Sequence, residues 1–302
     1  MIRPRFLIFA VLLTGLCGAK AQDRADAASR TTATASRTQQ ATDMSLSSQA
    51  ASDMGDIQPV SAKNGGLGAY VIANTSLQYT SNPSVSSSPG RGDLLFTAEG
   101  GAGIYPNIVG GLYMDGHVSQ SVYQYATFSA LDFSRFNAGG GLDYVFDGLG
   151  QLTASVRYEY ERYLDARQFN EFYVNHALTF GLSKEFTIKD NFAIQVGGQG
   201  AISLTAYPSN ARRNEFDLWS GFRWKICEPL ELQTYYIVSL FNYVDSSRVD
   251  VTQNVGGALI FSLTSWAKIS ATANFGANNS TESFFNYTIV NVGGTLGLNI
   301  RF

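Results

Sequence analysis

The residues best placed to do chemistry together are Asp115, His117 and Ser119, which stand at alternate positions in the stretch Asp115-Gly116-His117-Val118-Ser119. Alternate side chains of an extended strand share a face, so the three form a row of acid, base and hydroxyl. A base beside a hydroxyl is the minimal arrangement for nucleophilic hydrolysis. The opposite parity carries Leu112, Met114 and Val118. The row therefore points away from the apolar face, toward an interior, and the expectation is a polar lining with no catalytic residue. The other histidine, His176, shares its parity with Val174, Leu178 and Phe180 and belongs to an apolar face near a strand end. Two histidines on different strands, without a cysteine or carboxylate cluster beside them, do not have metal-site spacing. No metal and no cofactor are expected.

The same parity rule assigns other charged residues to the interior face: Glu99, Arg135, Asp143, Arg157, Glu159, Glu161, Asp217, Arg223, Lys225, Lys268 and Arg301. Both signs are present, so they can line a wet lumen or close on one another as ion pairs. The elements that must position them are strands. From residue 67 the chain reads as alternating segments over 67–80, 93–105, 108–125, 134–146, 151–164, 172–186, 192–207, 215–227, 231–243, 249–262, 266–278 and 285–302. Their connections alternate between tight turns, such as Tyr105-Pro106-Asn107 and Glu228-Pro229-Leu230, and longer polar loops. Mean hydropathy is near neutral, at −0.04. No apolar run approaches the length of a membrane-spanning helix, yet there are 16 Tyr and 20 Phe. Few charges, many aromatics and a period of two predict an all-β protein, a single twelve-stranded antiparallel transmembrane barrel. Aromatics at strand ends are expected to form two girdles at the lipid–water interfaces, with Tyr158, Tyr163, Phe172, Phe241, Tyr243 and Phe285 among those on the long-loop side. Glycine pairs within the strands are expected to mark a zone of curvature.

The last segment alternates most cleanly. Val290, Val292, Leu296, Leu298, Ile300 and Phe302 share one parity, and Asn291, Thr295, Asn299 and Arg301 the other. This ending resembles the C-terminal signal strand of Gram-negative outer-membrane β-barrels. The resemblance implies an integral outer-membrane location, with outer-membrane lipid and the barrel assembly machinery as partners. Leu296, Leu298, Ile300 and Phe302 would be the assembly signal. Short turns on one side and long loops on the other imply that both termini are periplasmic. His117-Val118-Ser119 also resembles the His-x-Ser pair of outer-membrane phospholipases and lipid A deacylases, but Gln120 stands where the deacylase-like pattern has Asn.

The N-terminus agrees with export. Arg3 and Arg5 precede an apolar stretch from Phe6 to Gly18, and Ala19-Lys20-Ala21 is a cleavage pattern, so residues 1–21 read as a signal peptide. Removing it leaves 18 basic and 24 acidic residues, a net charge near −6, which argues against a nucleic-acid partner. Cys227 is then the one remaining cysteine. Residues 22–65 are rich in Ala, Ser, Thr, Gln and Asp and contain no aromatic residue. They are expected to be a disordered periplasmic tail, with a short helix as an option around residues 40–54. The barrel is expected over 66–302.

These features point to a small passive, porin-like channel for ions or small solutes, or to a structural barrel with a narrow polar lumen. One alternative is a lipid hydrolase using His117 and Ser119. Another is an autotransporter-type translocator barrel, for which the segment before the barrel is too short to be a folded cargo.

Overall fold

The computed structural model describes residues 24–33, 68–88 and 90–302. The expected signal peptide, the optional helix at 40–54 and most of the 22–65 segment lie outside the described residues.

The strands are β1 (Ala69–Thr80), β2 (Asp93–Ile104), β3 (Asn107–Val109), β4 (Leu112–Tyr125), β5 (Phe133–Phe146), β6 (Leu152–Asp165), β7 (Glu171–Lys189), β8 (Phe192–Tyr207), β9 (Arg213–Cys227), β10 (Leu230–Tyr243), β11 (Val249–Ser262), β12 (Ala267–Ser280) and β13 (Tyr287–Arg301). Twelve close into a barrel. Each pairs antiparallel with its neighbours, β1 pairs with β13, and β2 pairs with β4. The extra strand is β3, which the sequence merges with the strand after it. It folds back on the start of β4 through Gly110-Gly111, and Gly110 takes a positive φ of 54°. Closure leaves no unpaired edge for lipid to meet.

The barrel is apolar outside and polar inside. In β1, Asn74, Ser76, Gln78 and Thr80 are buried, whereas Val71, Leu77 and Tyr79 are exposed on the outer face. Tyr144, Phe146, Phe186, Trp224 and Trp266 are exposed around the short-turn end, and Tyr158, Tyr207, Phe216 and Phe284 around the long-loop end. His176 is on the outer face too, with its Nδ1 2.5 Å from the Tyr158 hydroxyl.

Part of the long-loop girdle is not a girdle. Tyr163, Phe241 and Tyr243 are buried inside the barrel, and Phe172 packs on the same internal cluster. Tyr163, Phe241 and Tyr243 have inward parity, Phe172 sits at the irregularity where β7 pairs with β6, and all have something to cover. Residues 24–33 are helical (α1), and seven of these ten residues are buried. This corrects the expectation of a disordered periplasmic tail for these ten residues. The helix is seated at the long-loop mouth, whereas Gly68 and Phe302 flank β1 at the opposite mouth, where Tyr105 N donates to Gly68 O and Phe302 N to Ala69 O. The segment need not supply its own apolar surface, because the barrel supplies the aromatic rings.

Candidate functional site

The densest charge in the lumen lies along one wall, on β4, β5 and β6. Register places Asp115 opposite Gly141, and Gly141 opposite Arg157. The Arg157 guanidinium donates from Nε to Asp115 Oδ2 at 2.9 Å and from Nη2 to both Asp143 oxygens at 2.5 Å. Tyr105 donates its hydroxyl to Asp143 Oδ2 at 2.7 Å. Asp115, Asp143 and Arg157 are each at most 2% exposed. Charges this deep persist only when paired. His117 continues the cluster, with Nδ1 3.4 Å from Asp115 Oδ2 and Nε2 3.3 Å from Glu159 Oε2 and 3.0 Å from Asn137 Oδ1. Nearer the long-loop mouth, Arg135 Nη2 donates to Glu161 Oε1 at 2.7 Å.

Glycine makes this wall possible. A Cβ on Gly139 would lie 2.4 Å from Glu159 Oε2 and 2.6 Å from the His117 ring, and one on Gly141 would lie 2.5 Å from Arg157 Cγ. Large charged side chains lie flat across glycines on the neighbouring strand, so here the glycines provide space as well as any curvature.

The structure brings Asp115, His117, Asp143, Arg157 and Glu159 together. Ser119 faces the same lumen one step along, opposite Asn137, but both His117 nitrogens are directed at acidic or amide partners. Asp217 accepts from Gln199 at 3.1 Å, and Arg223 donates to Glu185 at 2.8 Å. Lys225 reaches Glu228 at the short turn. Arg223, Lys225 and Lys268 line a cavity of about 600 Å³ at the short-turn mouth. Glu99 is half-buried on β2 opposite Asn74 and Ser121, and Arg301 is exposed at the end of β13. Leu296 and Ile300 are exposed on the outer face, and Phe302 is exposed at the rim. The far wall is neutral between its mouths. Asn74, Ser76, Ser239, Thr252, Asn254, Ser270, Thr272, Asn274, Asn291 and Thr295 are all buried there. Hydrogen bonds tie several of them in place, as in Thr252 to Asn278 at 2.6 Å and Asn274 to the Tyr235 hydroxyl at 2.8 Å.

The residues sequence reading missed are those that seat α1. Asp26 Oδ2 accepts from Arg248 at 2.5 Å, and its other oxygen lies 3.0 Å from the Tyr243 hydroxyl. Arg30 pairs with Asp250, and Arg24 with Asp165. Ser29 Oγ accepts from Arg213 at 2.6 Å, and Thr31 bonds the Tyr125 hydroxyl at 3.1 Å. Arg24 lies 4.5 Å over the Phe172 ring and Arg30 5.1 Å over Tyr287. The helix has local reasons to form. Alanine, at positions 25, 27 and 28, is the strongest helix former. Asp26 and Arg30 are four residues apart and so face the same wall, β9 to β11. A usable signal was present: Tyr123, Tyr125, Phe133, Tyr163, Tyr173, Phe241, Tyr243 and Tyr287 all have inward parity and are buried. A water-filled mouth has no use for eight aromatic rings.

No family model matches the chain, and no curated protein matches it. Solved structures do. An outer-membrane channel from Pseudomonas putida F1 is 9% identical, covers 81% of this chain and 100% of its own, and has a TM-score of 0.52. The β domain of the Bordetella autotransporter BrkA is 11% identical, with 76% and 99% coverage and a TM-score of 0.47. The KdgM porin is 10% identical, with 74% and 97% coverage and a TM-score of 0.38. At these identities the likeness speaks for the fold alone. By fold, this chain is an outer-membrane β-barrel.

Proposed function

We propose that the protein is a small outer-membrane channel for ions and small polar solutes, with the long loops outside the cell. One observation carries the reading. Between the two mouths the inward face is mainly polar, with paired charges along β4–β6 facing neutral amides and hydroxyls along β10–β13 and β1. Twelve strands enclose more room than eight, where side chains fill the interior, and less than a sixteen-stranded porin. The fold shared with the outer-membrane channel from Pseudomonas putida F1 supports this reading. His117 and Ser119 serve it as lining, because Nε2 of the ring faces Asn137 and Glu159 and Nδ1 lies 3.4 Å from Asp115, with Ser119 at neither nitrogen. Refolded protein in a planar bilayer should give discrete ionic steps, and it should not hydrolyse phospholipid. If neither the full chain nor an assembled barrel lacking residues 22–33 conducts, the lumen is a closed polar network and the channel reading is wrong.

A further inference from the structure

We propose that the long-loop mouth is a binding site for this chain's own helix 24–33, and that the helix is a removable gate on the channel. The inference rests on the channel reading. Its content is that the seat is specific and the occupant is built to leave.

Specificity comes from charge. The helix presents Arg24, Asp26 and Arg30, and the wall answers with Asp165, Arg248 and Asp250. At the Asp26–Arg30 spacing of one helical turn, wall and helix alternate in sign, so a slipped or inverted helix would set like charges together. In the seated state Arg30, Asp26, Arg248 and Asp250 are almost completely buried. Buried pairs add little net stability, because desolvating both partners offsets their attraction, but a single uncompensated partner is very unfavourable. Seating is therefore nearly all-or-none: every charge pairs, or the helix goes out and every charge is hydrated.

The capacity to leave comes from size. Among the described residues of the helix, the buried apolar side chains are Ala25 and Ala28, and the other buried positions are Asp26, Ser29, Arg30, Thr31 and Thr32. A helix meant to stay would place Leu, Ile or Phe against the rings of Tyr163, Tyr173 and Phe133. Alanine gives up little transfer free energy on exposure. Release of the segment also regains chain entropy.

The test uses the full-length protein refolded into a bilayer. Arg24→Gln with Arg30→Gln leaves the barrel sequence intact and should raise the open fraction about tenfold, the response to a change of roughly 1.4 kcal/mol. A chain lacking residues 22–33, checked for heat-modifiable migration, should stay open. A synthetic peptide of residues 22–33 added on the long-loop side should close it saturably, and the same peptide with both arginines replaced by Gln should not. Trypsin supplies a readout independent of conduction. The bond after Arg30 should be protected at low salt and cut at 1 M salt, where screening stabilises separated charges, while the barrel stays folded. Equal open fractions in the full chain and both variants would overturn the gate and leave the channel standing. Protection of Arg30 at every salt concentration, with the barrel intact, would also overturn it. Salt-dependent cutting with no conduction in any form would support a reversible seat and overturn the channel.

Discussion

At the scale of single residues, Arg157 organises one wall of the lumen. It is the cation shared by Asp115 and Asp143, all three buried on adjacent strands. Arg157→Ala leaves two carboxylates without their counterion in a confined space, and should lower barrel stability by about 3–5 kcal/mol. The temperature at which the folded, fast-migrating band converts to the unfolded one reads this directly. Adding Asp115→Asn and Asp143→Asn to Arg157→Ala should recover most of the loss, and no recovery would mean that packing rather than charge is the cause. Gly141 gives a second contrast. An added methyl there would lie 2.1 Å from the Val156 carbonyl oxygen, whereas one on Gly100 meets nothing within 4 Å. Gly141→Ala should therefore cost about 1–3 kcal/mol by overpacking, and Gly100→Ala should leave the same conversion temperature nearly unchanged.

At the scale of elements, the closing strand and the helix carry opposite kinds of information. β13 joins β12 to β1 over eleven or more paired positions on each side, and the chain after it adds one more bond, from Phe302 N to Ala69 O. We propose that its outward stripe of Leu296, Leu298, Ile300 and Phe302 is what the assembly machinery reads. Deletion of Phe302 should reduce the amount of heat-modifiable barrel recovered in outer-membrane fractions without changing total synthesis. Unchanged recovery would remove Phe302 from that role. Strand alternation was legible because lipid on one face and a polar lumen on the other impose a period of two on every strand. The boundaries of β8 and β11 agree with the alternation at both ends. Helix α1 was not legible, because an Ala-Ser-Thr segment with a few charges has the composition of a linker, and what orders it lies on other strands.

At the scale of the whole molecule, the lumen has two unlike walls, and its charges set ion preference. Glu161 is held by Arg135, and Glu159 is within reach of His117 and Asn137. Replacing both by Gln removes two negative charges and leaves Arg135 without a carboxylate partner at Glu161. In a salt gradient the reversal potential should move toward anion preference, and the shift should shrink at 1 M salt, where the screening length falls to about 3 Å. It is best measured on the chain lacking residues 22–33, so that an open lumen is compared with an open lumen. A shift of the opposite sign, or none, would mean that these carboxylates do not face the conducting path.

The sequence by itself determined the class of fold, the number of spanning strands and the inward direction of the row Asp115, His117 and Ser119. All of these follow from strict alternation, which is local and survives without knowledge of partners. Only the tertiary structure decided which charges meet. Asp115, Asp143 and Arg157 become one cluster because register sets β4, β5 and β6 side by side, and alternation does not specify register. The tertiary structure alone also decided the fate of residues 24–33, because their helix is held by Asp165, Arg213, Arg248 and Asp250, which are far away in sequence and adjacent only after the barrel has closed.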